Sequence, residues 1–400
     1  MSNHHAWNDE WSSMNMNEYS DSNEQWQEFR REMPISERWV YLDHAAVAPL
    51  PAPARGAVEQ WCCQATEQGD TVWPQWAERV QAIRQRAAEL LNAETDEMAF
   101  IPSTTTGISL VAEGLPWQDG DNVVTLENEF PSNLYPWMNL ASRGVETRRI
   151  PVSGGIVDFE RVLASCDQRT RVIAISWVSY SSGWRIDVAE LTRMAHQRNI
   201  LVFLDAIQGL GVFPLDVRGT DVDFLAADGH KWMLGPEGAG IMYVRRDHLQ
   251  HLRPLNVGWN SVVHAHDFGH IELNLKPAAA RYEGGTQNMV GVLALGASLD
   301  LLARMGLSSS ESAIARRVLS ITDYACEKLS ALGAQLISPR DPDGRSGIVV
   351  FDLPGQDPAV LRRRLLEAGI VLSCRGGGLR ISPHGYTSRA DIDQLVDALK

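Results

Sequence analysis

The sequence predicts an α/β fold: a large, mainly parallel sheet with helices on both faces, followed by a small C-terminal α+β domain. Three observations carry that expectation. Short apolar runs recur through the middle of the chain without apolar–polar alternation, as expected of strands covered on both faces. Helical patterns separate several of these runs, and alternating strand and helix favours a parallel sheet. In the last part of the chain the rhythm changes to strand, helix, short strands and helix.

Taken in order, residues 1–25 are rich in Asn, Ser, Asp and Glu, and their aromatics show no period. They read as a tail, and His4 and His5 are too few to argue for a metal. WQEFRREMP (26–34) predicts a short helix stopped by Pro34. Trp61, Trp73 and Trp76, with Pro74, read as packing residues near the entrance or a dimer face. RVQAIRQRAAELL (79–91) predicts a solvated amphipathic helix rather than a basic binding face. The strand candidates are NVVTL (122–126), RVIAISW (171–177), ILVFLD (200–205), FLAA (224–227) and GIMYV (240–244). DVAELTRMAHQRN (187–199) predicts a helix capped by Asp187, with Glu190 three places on. A helical stretch near 310–331 leads into the last part. There SGIVVFDLPG (346–355), a helix over 357–369, a short strand near 370–373, GLRISP (378–383) and a helix over 388–399 follow. The expected organisation is a tail over 1–25, a large domain over 26–300 and a small domain over 301–400. Residues 26–60 are expected to pack near the small domain. No internal repeat is visible.

Composition limits the function classes. The 400 residues are 44% hydrophobic and 22% charged, which is ordinary for a soluble globular protein. A formal charge of −14 repels polyanions, so neither nucleic acid nor an anionic membrane surface is an expected partner. No apolar run is long enough to span a bilayer. Five scattered cysteines without a Cys-x-x-Cys pattern suit a reducing cytoplasm. No basic segment followed by an apolar one marks a secretory signal.

The chemistry centres on AADGHKWMLGPEGAG (226–240). Of 36 basic side chains only four are lysines, and Lys231 stands between a short apolar strand and a run of glycines. A lysine becomes a nucleophile when desolvation or nearby positive charge lowers its pKa. Its common use is a Schiff base to a carbonyl, including that of pyridoxal 5′-phosphate. That cofactor has further needs, and the sequence offers a candidate for each. Its ring nitrogen needs a carboxylate, and Asp205 ends the run ILVFLD, where α/β sheets bind ligands. Alone, Asp205 would read as a turn residue or helix cap. Gln208, three places on, could reach the phenolic oxygen. Its phosphate needs donors at a helix start. IPSTTTGISLVAEGL (101–115) places Thr104 and Thr105 there, although Ser and Thr are also ordinary N-caps.

Other features read more plainly. HAHDFGH (264–270), with His264, His266, Asp267 and His270, has spacing that could ligate a metal. It is read as a polar loop near the active-site mouth, so no metal is expected. GPEGAG (235–240) is not G-x-G-x-x-G and no long helix pattern follows it, which argues against a nicotinamide oxidoreductase. Its glycines are expected to let the backbone turn after the lysine. A cofactor-free binding protein on this fold would be expected to lose the lysine or the aspartate.

With these pieces assembled, the chain resembles the class V aminotransferase family of fold type I pyridoxal-phosphate enzymes. That family includes cysteine desulfurases, selenocysteine lyases, isopenicillin N epimerase-like proteins and kynureninases. The matching stretches run from YLDHAAVAPLP (41–51) to GLRISPHGYTSRADIDQLVDAL (378–399). DAIQGLGVFPLDV followed by DVDFLAADGHKWMLGPEGAGIMYV is the most specific part. The resemblance implies a seven-stranded type of sheet and a homodimer with sites at the subunit interface. It implies Lys231 as Schiff-base lysine and proton shuttle, Asp205 as partner of the ring nitrogen and Gln208 as partner of the phenolic oxygen. Thr104 and Thr105 fall on the phosphate-binding turn, and His230 on a position that often contacts the phosphate. RYEGGTQN (281–288) resembles a segment that reaches across a dimer, with Thr286 touching the neighbour's phosphate. Arg380 falls on the substrate-carboxylate arginine, and Arg375 is a second candidate.

The chain departs from the family's best-known members at four places. Phe130 stands where cysteine desulfurases stack a histidine, as in kynureninase-like sequences; it can stack but cannot transfer protons. Asp228 stands where Ser or Thr is common, and its role is open. Tyr180, in SYSSGWR (179–185), replaces a frequent asparagine and is a substrate-binding candidate. Between Arg375 and Arg380 lie only Gly376, Gly377, Gly378 and Leu379, so the sulfur-carrying loop cysteine has no counterpart there. Cys374 is read as a buried small hydrophobe on a strand. The expected activity is chemistry on an amino acid through a Lys231 aldimine and a ring-stabilised carbanion. Desulfurase-like or C–S lyase chemistry is the first reading, and an epimerase or class V aminotransferase the alternative.

Overall fold

In a computed structural model, the structure describes residues 20–400. Most of the expected tail, with His4 and His5, lies outside the described residues. Its last residues are built into the fold instead. Asp21 pairs with Arg317 and accepts from the Arg389 N–H (2.9 Å), and Asn23 caps a helix over Glu24–Arg31 that buries Trp26 and Phe29. Two carboxylate contacts and two buried aromatics outweigh the polar composition from which a tail was inferred.

Thirteen strands run through the described residues: β1 (Val40–Tyr41), β2 (Met98–Ile101), β3 (Asn122–Leu126), β4 (Glu146–Ile150), β5 (Thr170–Ser176), β6 (Leu201–Asp205), β7 (Phe224–Asp228), β8 (Gly240–Val244), β9 (Gln335–Leu336), β10 (Val349–Asp352), β11 (Ile370–Val371), β12 (Ser373–Arg375) and β13 (Gly378–Ile381). Seven form one sheet in the order β2-β8-β7-β6-β5-β3-β4, and β8 alone runs against the others. The expected α/β class and large, mainly parallel sheet are thus observed.

The continuous apolar runs have the expected cause. Ile173, Ile175, Val202, Leu204, Leu225, Ala227, Ile241 and Tyr243 enter one hydrophobic core, while their neighbours Val172, Ala174, Phe203, Phe224, Ala226, Met242 and Val244 enter a second. Alternate side chains leave a strand on opposite faces, so each strand serves two cores and neither face can be polar. The edge strand β4 (ETRRI) buries one residue of five, Ile150, and gave no apolar signal. The helix Met289–Arg304 was not read from sequence either. It is apolar nearly all round, with ten buried residues, so it lacks the stripe of a surface helix.

Two further sheets form around the last part of the chain. One, β12-β13-β10-β9, is antiparallel throughout. The other pairs β1 with β11 in parallel. Val40 and Leu42 share a core with Ile321, Leu365, Ile381 and Leu395.

One helix differs from its reading. Within Trp73–Leu91, Arg84 is 4% exposed rather than solvated. It pairs with Glu283 (Nη2 to Oε2, 2.9 Å) and donates to the Met98 carbonyl (3.0 Å). Its helical period placed it on the apolar face, and a carboxylate distant in sequence makes that burial tolerable.

Candidate active site

Asp205 is the last residue of β6, and β7, its neighbour in the sheet, ends three residues before Lys231. Both side chains therefore stand at the carboxyl edge of the parallel strands. Lys231 is 9% exposed, and among the described residues no carboxylate forms an ion pair with its amine. Burial pushes its pKa down to about 8; Asp205 opposes the shift and Arg380 adds to it. Asp205 is 2% exposed, and its carboxylate accepts one backbone hydrogen bond, from the Ile207 N–H (3.1 Å). Burial raises its pKa to about 6, against that hydrogen bond and the pull of Lys231. The pair has been taken out of water without being fully satisfied.

The turn after the lysine is tight. Leu234 is left-handed (φ 57°), its N–H bonded to the Lys231 carbonyl (3.0 Å) and its own carbonyl to Ser298 Oγ (2.7 Å). A left-handed leucine is uncommon, and here it sits directly beside the chemistry.

The other candidates converge from separate segments. The Phe130 ring lies 5.5 Å from Lys231 Nζ and meets the Tyr180 ring edge-on at 5.3 Å. The Tyr180 carbonyl accepts from Arg380 Nη1 (3.0 Å). Gln208 donates to the Ala45 carbonyl (3.0 Å) and accepts from Trp232 Nε1 (2.8 Å), which among the described residues leaves one amide hydrogen uncommitted. Ser103 caps the helix Thr104–Gly114, accepting from the Thr106 N–H. Thr104 and Thr105 thus occupy its first turn, where backbone N–H groups lack helical partners. Thr104 Oγ1 accepts from the Asp228 N–H (2.9 Å), and Thr105 donates to Ser132 Oγ (2.8 Å). Gly107 permits this approach, because a Cβ there would come within 2.6 Å of Ala226 Cβ on β7. His230 Nδ1 lies 3.0 Å from Asp228 Oδ2, while Asp228 Oδ1 is buried without a hydrogen-bond partner among the described residues.

The two candidate arginines separate. Arg380, on β13, is 2% exposed and held by Ser373 Oγ (3.2 Å), the Tyr180 carbonyl and Asp43 Oδ1 (3.2 Å). Arg375 is exposed and donates to its neighbour's carbonyl. Between them Gly376 and Gly377 form a two-residue turn, both left-handed (φ 64° and 88°), as a tight hairpin requires. The Cys374 thiol donates to the Pro358 carbonyl (3.3 Å), and burial raises its pKa, the opposite of an activated thiol. Thr286 is exposed, and no hydrogen bond among the described residues joins it to this group. In the 264–270 loop, His266 packs against Trp73 and Trp259 (5.3 and 5.7 Å). Among the described residues no group of three or more His, Cys, Asp or Glu side chains is placed to hold a metal, and no helix is long and apolar enough to cross a membrane.

Two participants escaped sequence reasoning. Asp43, 8% exposed, accepts from both Arg380 and Ser373; it stood inside YLDHAA, but nothing there tied it to an arginine 337 positions away. Glu129, 6% exposed, accepts from the Ser176 N–H (2.8 Å) and hydroxyl. Its only signal was a place beside Phe130.

The aminotransferase class-V family model matches residues 40–395. The chain belongs to that family. Among curated relatives, a probable cysteine desulfurase from Methanothermobacter thermautotrophicus is 32% identical, over 94% of this chain and 97% of the relative. Among solved structures, a cysteine desulfurase from Escherichia coli superposes with a TM-score of 0.81 at 26% identity, covering 94% of this chain and 97% of that one. A cystine C–S lyase in complex with cysteine persulfide gives 0.84 at 26% identity, covering 92% and 98%. The class-V membership and the fold read from sequence both stand.

Proposed function

We propose that the protein is a pyridoxal-phosphate enzyme acting at the α-carbon of an amino acid, with desulfurase-like or C–S lyase chemistry as its reaction. The observation that carries this reading is the pair of buried, incompletely satisfied groups Lys231 and Asp205, with the Phe130 ring 5.5 Å from Lys231 Nζ. The relatives named above, cysteine desulfurases and a cystine C–S lyase, support the choice of sulfur chemistry.

The residues fit the cofactor. Asp205 has one backbone partner and a raised pKa, so a protonated ring nitrogen would supply the missing counter-charge. Thr104 and Thr105 offer N–H groups and hydroxyls to the phosphate at a helix N-terminus, with His230 alongside. The remaining Gln208 amide hydrogen suits the phenolic oxygen. When bound, the cofactor supplies an electron sink for charge developed at the substrate's α-carbon.

The chain's own groups do the rest. Lys231, with its pKa near 8, keeps a usable neutral fraction near neutral pH. Lys231 would hold the cofactor through Nζ, and as a free amine would take the substrate's α-proton at the same atom. Phe130 gives an apolar face and carries no proton, so proton movement falls to Lys231. Arg380 has hydrogens left on both Nη1 and Nη2 after its protein contacts, and these form a fork for the substrate carboxylate. Asp43 and the Tyr180 carbonyl hold that fork in place.

A second copy of the chain completes the site in this reading. Trp259, Phe268, Ile271 and Leu273 are 38%, 69%, 88% and 74% exposed, an apolar surface that a partner subunit would cover. Thr286, also exposed, would then serve the neighbouring phosphate.

The test is product analysis after mixing the pyridoxal-phosphate-loaded protein with L-cysteine or L-cystine. Alanine marks desulfuration, and pyruvate marks β-elimination. Neither product, together with α-proton exchange into deuterated water, would move the epimerase or aminotransferase reading ahead. A protein that takes up no cofactor would sink the proposal.

A further inference from the structure

We propose that Glu129 is a positioning residue: it holds the Phe130 ring over Lys231 and keeps that ring in register with Asp205. The inference rests on the reading of the Lys231 site given above, and deepens it.

The two neighbours Glu129 and Phe130 differ sharply in burial. Phe130 is 42% exposed, whereas Glu129 is 6% exposed. A ring so open to solvent is not fixed by burial, and among the described residues its one close ring contact is edge-on with Tyr180. What locates it must lie in the backbone on either side. On one side Pro131 opens a single short turn, Pro131–Asn133. On the other, the Glu129 side chain reaches β5. Oε1 accepts from the Ser176 N–H at 2.8 Å and Oε2 from the Ser176 hydroxyl. Two parallel hydrogen bonds to one residue fix orientation as well as distance.

The place of attachment matters. Ser176 is the residue of β5 that pairs with Asp205 of β6, and the Trp177 N–H continues the ladder to the Asp205 carbonyl (2.9 Å). The Glu129 strap therefore ties the residue carrying the ring to the strand position beside the catalytic carboxylate. Lys231 leaves the next strand along. Through this strap three separate segments hold one geometry.

A carboxylate is a costly choice for a purely structural strap, since burial alone disfavours its charge. The Glu129 pKa is raised to about 7, first by burial, with the Ser176 contacts lowering it and Asp205 raising it further. Asn133 stands against the same carboxyl; its amide nitrogen lacks a partner in hydrogen-bond geometry but is close enough to lower that pKa. The apolar alternative, a packed leucine, would avoid the penalty but could not dictate the angle at which the chain enters Phe130.

The experiment uses the full chain loaded with pyridoxal phosphate. Glu129→Gln keeps the size of the side chain but turns one of its two acceptor oxygens into an NH2 donor, so the Ser176 hydroxyl can keep its bond only by reversing from donor to acceptor. Three readouts are taken: the visible absorbance of bound cofactor, its induced circular dichroism, and the unfolding midpoint. The expected result is a several-fold loss of induced dichroism with cofactor content retained, because the Phe130 ring has lost its fixed orientation over Lys231. A structural role alone would lower the midpoint and leave the dichroism native, and that outcome overturns the proposal. Ser176→Ala removes one of the two bonds from the other side. It should shift the dichroism in the same direction by less, and the double variant should be no worse than Glu129→Gln alone. Full additivity overturns the proposal. Should Glu129→Gln fail to fold, Ser176→Ala decides: a native signal there overturns it. If native protein takes up no cofactor, the parent reading falls and this one with it. A native band with an indifferent Glu129→Gln removes only this one.

Discussion

Asp205 and Asp223 are two aspartates of the same sheet, one at each end of neighbouring strands. Asp205 closes β6 at the carboxyl edge; Asp223 immediately precedes β7 at the opposite edge. Burial is the same, 2% and 0% exposed, and would raise both pKa values. The outcomes diverge. Asp223 receives His196 Nε2 (2.8 Å), His248 Nε2 (2.7 Å), Arg245 Nη2 (2.8 Å) and the Val202 N–H (2.7 Å), which bring it down to about 2. Asp205 receives one backbone N–H and stays near 6. Burial does not separate structure from function here; the number of donors does. A buried carboxylate surrounded by donors holds a fold together, and one left short of them waits for a partner that the chain does not contain.

The largest expected effect lies at that missing partner. Lys231→Ala should reduce turnover by about a thousand-fold or more, the range of a lost proton carrier, and abolish the covalently held visible band. Full activity in that variant would remove the mechanism. Next comes the crossed pair. Asp205→Asn should lower turnover by roughly a hundred-fold or more while leaving the cofactor-free protein no less stable. Asp223→Asn should do the reverse. It leaves an arginine and two histidines facing a neutral amide, and should cost about 3–5 kcal/mol of stability with activity per folded molecule retained. Turnover and urea midpoints on both variants check this, and equal stability losses would break the comparison.

The arginines extend the same logic to the substrate. Arg380→Lys keeps the charge but loses the fork. It should raise KM by roughly ten- to a hundred-fold, the value of charged hydrogen bonds lost, with a smaller change in kcat. Arg375→Lys, at an exposed site, should change neither appreciably.

The contrast also explains how far the sequence was legible. The strands β3 and β8 and the capped helices starting at Val188, Pro358 and Arg389 were readable because local signals decide them: apolar runs, or Asp and Ser caps. Asp205 was readable because it ends an apolar strand, and Lys231 because it follows the next one within three residues and precedes a run of glycines. Asp43 and Glu129 were not, because what makes them important is a contact over 337 and 47 positions. The helix Met289–Arg304 was missed for a different reason: burial on nearly every side erases the period that periodicity reads. Arg84 was misread as solvated for lack of its partner, Glu283, which is 199 positions away. Local pattern finds elements and their ends, and only the folded sheet shows which polar side chains are satisfied.

The smallest expected effect is the sharpest test of the contrast, because its sign differs between the two aspartates. In cofactor-free protein the folded pKa of Asp205 is raised from 3.8 to about 6. Its stabilising share is therefore fully present below the unfolded value and is lost as pH rises through 6. The folded pKa of Asp223 is lowered from 3.8 to about 2, so its share is present above 3.8 and is lost as pH falls through 2. Urea unfolding of native, Asp205→Asn and Asp223→Asn proteins across pH 2–7 separates them. Relative to native, Asp205→Asn should gain stability between pH 4 and 6, and Asp223→Asn should lose it between pH 2 and 4. The same sign in both windows would break the argument that donor count sets their roles. Loading the native protein with pyridoxal phosphate adds a last constraint. If a protonated ring nitrogen is the partner Asp205 lacks, the loss between pH 4 and 6 should vanish on loading, while the Asp223 window stays where it was.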